Sequence, residues 1–327
     1  MRTKTISGKT YYYLELSYFI VDSAKKFSKY VGTGKPALHE IAKLEDAFRD
    51  EIIQKLGKQT YSAESFSKDE VIKTLLFRDA FNEKYKTLSP VQRKKFEVNR
   101  TILFTLTTLT TEDVDVDLQD VMAAYKKEAK LDARETISKN MLEGVSRIKE
   151  SWKLDKKSVL SLHKTIMASF ETKNPGTFRQ RQVYIHRQDE NTLFGIEIAY
   201  RPPAFLEIPN QMREMTEWYG SSTLNPVEKA ARIHYEFYSI HPFLDGNKRM
   251  ARLLFNKALL ENNFPLLNIS EKKEDYFRAL IQAVETKKIR PFAEFSLGEY
   301  YRQVRQFLTA KNIQNLTKTN PQNKRKK

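Results

Sequence analysis

Cysteine is absent from all 327 residues, which excludes a disulfide framework, thiolate catalysis and zinc-finger ligation. No apolar run approaches the roughly 18 residues of a membrane-spanning helix. The opening MRTKTISGKTYYYLELSYFIVD lacks the uninterrupted apolar region and the small-residue cleavage site of a secretory signal. These absences predict a soluble, cytoplasmic protein without membrane contact. Acidic residues are the minority charge, 41 against 57 Lys and Arg, for a formal charge of +16. Part of that excess is local, because residues 311–327 hold six Lys and Arg and no acid among Asn, Gln, Thr and Pro. That composition reads as a basic disordered tail over 309–327, most simply a solvated end, with nucleic-acid contact the less favoured alternative. No internal repeat is evident, and 40% hydrophobic content supports a main domain with one small accessory region.

What is present divides the rest of the chain. Residues 1–35 carry short β-prone runs separated by Ser7-Gly8 and by residues 22–26, predicting a small antiparallel β region. Its Tyr-rich, basic strands can touch nucleic acid, but such strands more often pack a half-buried face on a helix, and packing or target docking is the preferred reading. Residues 36–110 read as a helical N-terminal region: a helix over about 36–56, a second opened by the capping box Ser67-x-x-Glu70, and a third opened by Ser89-Pro90. The Thr-rich apolar run 102–109 suits either a core helix or a strand. Asp117 and Asp120 open a segment to about Lys130, and Asp132 opens another.

The richest stretch is HPFLDGNKRMAR, His241 to Arg252. Upstream, Asn225 caps and Pro226 starts a helix whose Ala230, Ile233, Phe237 and Ile240 recur at apolar helical spacing. Downstream, Met250, Leu253, Leu254 and Leu260 define a second helix, so the stretch is a tight loop feeding a helix N-terminus. Unpaired backbone N–H groups and the helix dipole favour an anion there, and Gly246 permits the turn. Asp245 is a hard oxygen ligand of the kind that holds Mg²⁺ beside substrate phosphates. Asn247 can donate to phosphate, and Arg249 and Arg252 offer planar forks for its oxygens. His241 can take a proton from an attacking hydroxyl. The implied reaction is displacement at phosphorus. His163 and His234, inside apolar helical patterns, read as structural; His39 and His186 read as exposed.

The stretch resembles the active-site motif of Fic-domain proteins, HPFxDGNGRxxR, at every fixed position but one. GTFRQRQVYI (Gly176 to Ile185), Tyr200 with Pro202 and Pro203, and LHKTIM (Leu162 to Met167) follow in the family's order and spacing. The resemblance implies a mainly α fold, a Fic-type helical bundle over 111–308 with a β-hairpin flap at about Val183 to Ala199, preceded by the small β region. It also implies transfer of AMP from Mg-ATP to a Ser, Thr or Tyr hydroxyl of a target protein or of the chain itself. His241 resembles the catalytic base, Asp245 the metal ligand, Gly246 and Asn247 part of the anion hole, and Phe243 the anchor that orients the loop. Arg249 and Arg252 would meet the distal phosphates. A homodimer is compatible with the family, though nothing in the sequence identifies an interface.

Lys248 departs from the family's usual glycine. The Doc branch shares this Asn-Lys-Arg arrangement and moves the γ-phosphate of ATP instead, so a Doc-like phosphotransferase is the alternative, and a nucleotide-sensing regulator without catalysis is the third. A further family feature is a glutamate that pairs with the second arginine and blocks productive ATP binding, within (Ser/Thr)-x-x-x-Glu-(Gly/Asn). The expected counterpart is Glu143, followed by Gly144. Ser138 stands five rather than four residues before it, with Lys139 at the hydroxyl position.

Overall fold

The computed structural model describes residues 1–126, 130–188 and 196–310. Three strands, β1 (Arg2–Ile6), β2 (Lys9–Ile20) and β3 (Ser23–Gly32), pair antiparallel in sequence order. The inward face of β2 carries Leu14, Tyr18 and Ile20, which join a core shared with Phe48, Ile52 and Ile72 of the next two helices, α1 (Leu38–Gly57) and α2 (Lys68–Thr87). The Tyr18 hydroxyl donates to Asp69, which also takes Arg49 at 2.9 Å. The sheet therefore packs one face on helices, as its alternation predicts, and leaves the other face open.

Capping explains where the helices begin. Ser67 accepts from the Glu70 N–H while Glu70 returns to the Ser67 N–H, and Ser89 and Gln92 repeat this box at the start of α3 (Pro90–Thr110). The ambiguous run 102–109 lies inside α3, with Phe104, Thr105, Thr108 and Leu109 buried. Tertiary burial along one face decides against the strand that Thr-rich sequence would also allow. Next come α4 (Leu118–Lys126) and α5 (Ala133–Lys149), the latter capped by Asp132. They are followed by α6 (Lys156–Ile166), the antiparallel pair β4 (Ile185–Gln188) and β5 (Ile196–Tyr200), and α7 (Ile208–Ser221). The chain then forms α8 (Pro226–Ile240), α9 (Asn247–Leu260), α10 (Lys273–Thr286) and α11 (Arg290–Thr309).

At the centre, α8 and α9 pack side by side, and α9 is buried nearly all round, from Asn247 through Leu259. It therefore lies in the middle of the bundle even though Asn247, Arg249, Arg252, Asn256 and Lys257 are among its buried side chains. Helices α5, α7, α10 and α11 surround this pair, and α3 also reaches α9. The architecture is mainly α, with eleven α-helices among the described residues, a small N-terminal sheet and a two-stranded hairpin. Of the tail read at 309–327, Thr309 instead ends α11, and 311–327 lie outside the described residues, as do 127–129 of the Asp117 segment and 189–195 of the expected flap. No helix among those residues is long and apolar enough to cross a membrane.

Candidate active site at the start of the central helix

The loop from His241 to Gly246 is fastened on three sides. His241 itself ends α8 in a left-handed conformation, φ 49°. Arg179, 2% exposed, donates through Nε to the His241 carbonyl at 2.8 Å, and its backbone N–H donates to the Pro242 carbonyl at 2.9 Å. Asn247, also 2% exposed, donates from Nδ2 to the Phe243 carbonyl and accepts the Phe243 N–H at Oδ1. Its side chain thus holds the loop, and the contribution left for a phosphate is its backbone N–H, which corrects the expectation of a side-chain donor. Phe243 is fully buried and stacks on the His163 ring at 3.5 Å, as expected of an anchor.

His163 supports the loop from beneath. The Gly176 N–H donates to Nδ1 at 2.8 Å, so the ring proton sits on Nε2 and donates to the Asp245 carbonyl at 3.0 Å. Burial pushes His163 down to about 4, opposed by that carbonyl bond and assisted by the Arg249 charge. The neutral ring is therefore the form that fits both bonds.

Gly246 is required twice over. Its φ is 78°, and a Cβ there would stand 2.7 Å from Met167 Sδ and 3.2 Å from His163 Nε2. Gly246→Ala should cost about 1–2 kcal/mol for the left-handed backbone and about 1–3 kcal/mol more for overpacking. The check is a thermal melt together with ATP titration: a melting temperature and affinity equal to wild type would remove the steric role, and Met167→Ala in the same chain should recover part of the loss.

His241 faces outward from this support. Its Nδ1 lies 3.1 Å from the Tyr238 carbonyl, which can only accept, so the proton sits on Nδ1 and the Nε2 lone pair is left to take a proton. Burial lowers its pKa to about 4; the Tyr238 carbonyl resists the shift, and the Arg179 and Lys248 charges add to it. A neutral imidazole at physiological pH suits a general base.

The start of α9 supplies the anion-binding side. Backbone N–H groups of the first turn have no helical partner, since the first bond of the ladder is Met250 N–H to the Gly246 carbonyl. Arg249, with a side chain 3% exposed, reaches Asp245 Oδ1 at 3.3 Å, while its Nε and Nη1 are buried without a partner. Unpaired buried guanidinium N–H groups beside a helix N-terminus fit a phosphate that would satisfy them. Asp245 Oδ1 also takes the Gly246 N–H at 2.5 Å. Among the described residues no three His, Asp or Glu converge on one point. A cation at Asp245 would therefore need oxygens from a bound nucleotide and from water, the usual company of Mg²⁺.

Arg252 is fully buried. Its Nη2 donates to the Thr108 carbonyl at 2.9 Å and to Glu112 Oε1 at 3.0 Å, and its Nη1 reaches the Tyr276 hydroxyl at 3.4 Å. Lys248 Nζ meets the other oxygen, Glu112 Oε2, at 2.8 Å and lies 4.7 Å from the Phe277 ring centre. Burial alone would raise the Glu112 carboxyl, but the Arg252 and Lys248 charges outweigh it and hold it below its ordinary value. One carboxylate thus occupies both cations at the distal end of the site.

That carboxylate is not the one the sequence suggested. Glu143 is exposed on α5, in a groove lined also by Thr101, Tyr125 and Lys149, and the partner of Arg252 is Glu112. Gly144 is glycine for packing reasons, because a Cβ would collide with Ile166 and stand 3.3 Å from Leu253 Cδ1. The Glu-Gly pair is a product of helix packing that mimics the signature. Thr108-Leu-Thr-Thr-Glu112-Asp113 has the correct spacing of four, and Asp113 adopts the left-handed conformation, φ 57°, that Gly or Asn would take more easily. The spacing is the signal in the sequence that points to Glu112, whereas Glu143 matches only at the glycine that follows it. Arg179, Tyr276 and the supporting role of His163 were likewise not assigned from sequence.

Comparison with known proteins matches residues 153–259 to the Fic/DOC family. A protein adenylyltransferase Fic from Drosophila erecta is 32% identical over 142 residues, covering 42% of this chain and 26% of that protein. Its Drosophila melanogaster counterpart is 31% identical over the same length. The chain thus spans about a quarter of the length of these curated relatives. Among solved structures, a Fic family protein from Desulfovibrio desulfuricans G20 aligns with a TM-score of 0.61 at 21% identity, over 79% of each chain. A Fic domain-containing signaling protein from Bacteroides thetaiotaomicron aligns at 0.62 and 20% identity, over 75% of this chain and 98% of that one. Family match, shared fold and the fastened HPFLDGNKR loop agree: the chain carries a Fic domain.

Proposed function

We propose that the chain transfers AMP from Mg-ATP to a Ser, Thr or Tyr hydroxyl of a protein, and that Glu112 restrains this activity. The observation that carries the reading is a neutral His241, with Nε2 free, beside an α9 N-terminus where buried Arg249 donors lack partners. The hydroxyl proton would pass to His241 Nε2 as the oxygen attacks the α-phosphorus and pyrophosphate leaves. ATP, held at its α-phosphate by the helix N-terminus and at its distal phosphates by Arg249 and Arg252, would present that phosphorus to the hydroxyl. Asp245 would hold the cation, which neutralises phosphate charge when bound. Among the described residues β4 and β5 pair only with each other, a ribbon suited to align a target's backbone by strand addition.

Glu112 would act as a brake because its carboxylate stands where phosphate oxygens would meet Arg252. Lys248 sits at that same distal end, and its engagement by Glu112 favours a phosphate-contacting or brake-holding role for it over one in the transfer step. The activated Glu112→Gly protein, incubated with Mg²⁺, a lysate and ATP labelled at either the α- or the γ-phosphate, tests the reading. Label from the α-position alone is expected, on lysate proteins or on the chain itself. Label only from the γ-position would replace it with the Doc-like kinase reading, and label from neither would leave a nucleotide sensor.

A further inference from the structure

The N-terminal sheet has an outer face that nothing in the transfer chemistry uses. Strand alternation places Lys4 of β1, Lys9, Tyr13 and Phe19 of β2, and Lys26 and Tyr30 of β3 on that face, opposite the buried Leu14, Tyr18 and Ile20. Phe19 is 71% exposed and Tyr30 51%, in a region where apolar side chains would otherwise be covered. The face carries one carboxylate, Glu15, already paired with Arg2 at 3.0 Å. Residues 1–36 hold seven Lys and Arg against two acids. The helix behind, α1, carries five carboxylates, two of which take Lys68 and one Lys29. Lys25 and Lys29 alternate to the inner side, and Lys4, Lys9 and Lys26 leave the outer face with a net positive charge toward solvent.

We infer that this face binds double-stranded DNA, with the sheet seated in the major groove and its lysines on the flanking phosphates. A cationic sheet face with almost no acid is complementary to phosphate. The rings do not offer the separate flat platforms that single strands stack upon, because Tyr13 and Tyr30 pack on each other at 5.5 Å and Lys4 lies over the Tyr13 ring at 5.2 Å. Dimensions suit a groove: two neighbouring strands about 4.8 Å apart make a ribbon of the kind that the roughly 12 Å major groove admits, with Lys4 of the third strand, β1, left at the flanking phosphates. An A-form RNA groove is too deep and narrow for this approach. Ser17, Ala24 and Ser28 keep the middle of the face shallow, and exposed Phe19 at the end of the β2–β3 hairpin is placed to contact a base-pair edge or step.

The test is fluorescence anisotropy of the full chain with a labelled random-sequence 20-base-pair duplex, the corresponding single strand and an RNA duplex, at about 50 and about 150 mM salt. Expected is micromolar duplex binding that weakens with salt. The double substitution Lys4→Glu and Lys26→Glu should weaken it at least about tenfold and lower the salt slope by about two, roughly one for each phosphate-contacting cation removed. Both side chains are exposed, and an unchanged melting temperature would show that the fold survives. Duplex affinity unaffected by the double substitution would assign binding to the basic tail and overturn the proposal. So would absence of duplex binding, or binding of single strands or RNA as tight as that of the duplex.

Discussion

Replacing Glu112 with glycine should raise the rate of adenylyl transfer about 10- to 100-fold, the range of a 1–3 kcal/mol coupling between two sites. The substitution frees the Arg252 guanidinium and the Lys248 ammonium, both now held by that single carboxylate. Stability should move the other way. Arg252 is fully buried, and removing one member of a buried ion pair typically costs about 3–5 kcal/mol. The variant should therefore melt lower without nucleotide and recover more of its melting temperature than wild type when ATP is added. Transfer assays and thermal melts on one preparation decide the matter: unchanged activity together with an unchanged ATP shift would show that Glu112 is a structural ion-pair partner only. Glu143→Ala, at an exposed helix position outside the site, should leave transfer and the ATP-induced melting shift at wild-type values.

Substituting His241 with alanine should lower transfer by about two to four orders of magnitude, the usual contribution of a positioned general base. ATP affinity should persist, because the phosphate contacts come from α9 and its arginines. A variant that transfers at more than about a tenth of the parent rate would remove His241 from that role. The pH profile gives an independent check. Burial holds the folded His241 pKa at about 4, so the base is fully available above that value and is lost as pH falls through it. The acid limb of kcat/KM, which reports the free enzyme, should lie near 4 and not near the ordinary imidazole value of about 6.5. A limb near 6.5 would mean that the ring is solvated during turnover.

The loop chemistry was legible in the sequence because its residue types and spacing are dictated locally: Asn225 and Pro226 start α8, Gly246 turns the chain, and the arginines fall on the first turns of α9. Helix starts at Ser67, Ser89 and Asp132 were legible for the same reason, since a cap acts on N–H groups two or three residues away. The rest depended on contacts distant in the chain. Thr108 and Glu112 reach Arg252 across about 140 positions, and local spacing, though it favours Glu112 over Glu143, does not by itself place either beside the arginine. Arg179 stood inside a quoted motif, yet its task, holding the carbonyl of a residue 62 positions later, appears only when the chain is folded. The side-chain amide of Asn247 was misread because a donor suited to phosphate is equally suited to a backbone carbonyl four residues away.

Glu112 lies on the same polypeptide as the arginine it engages, in the turn that follows α3, with the neighbouring Asp113 tied to Lys273 at 2.6 Å. Under the proposed function the carboxylate would compete with nucleotide at an effective concentration fixed by chain geometry. Dilution should neither release it nor strengthen it, so specific activity measured across a wide range of protein concentrations at constant ATP should be flat unless a second molecule intervenes. By thermodynamic reciprocity, any ligand that draws the end of α3 away from α9 must tighten nucleotide by the same factor that nucleotide loosens the turn. A bundle that works in this way would register ATP against an anion tethered to the same chain, so its threshold would be set by the ion pair and not by protein concentration.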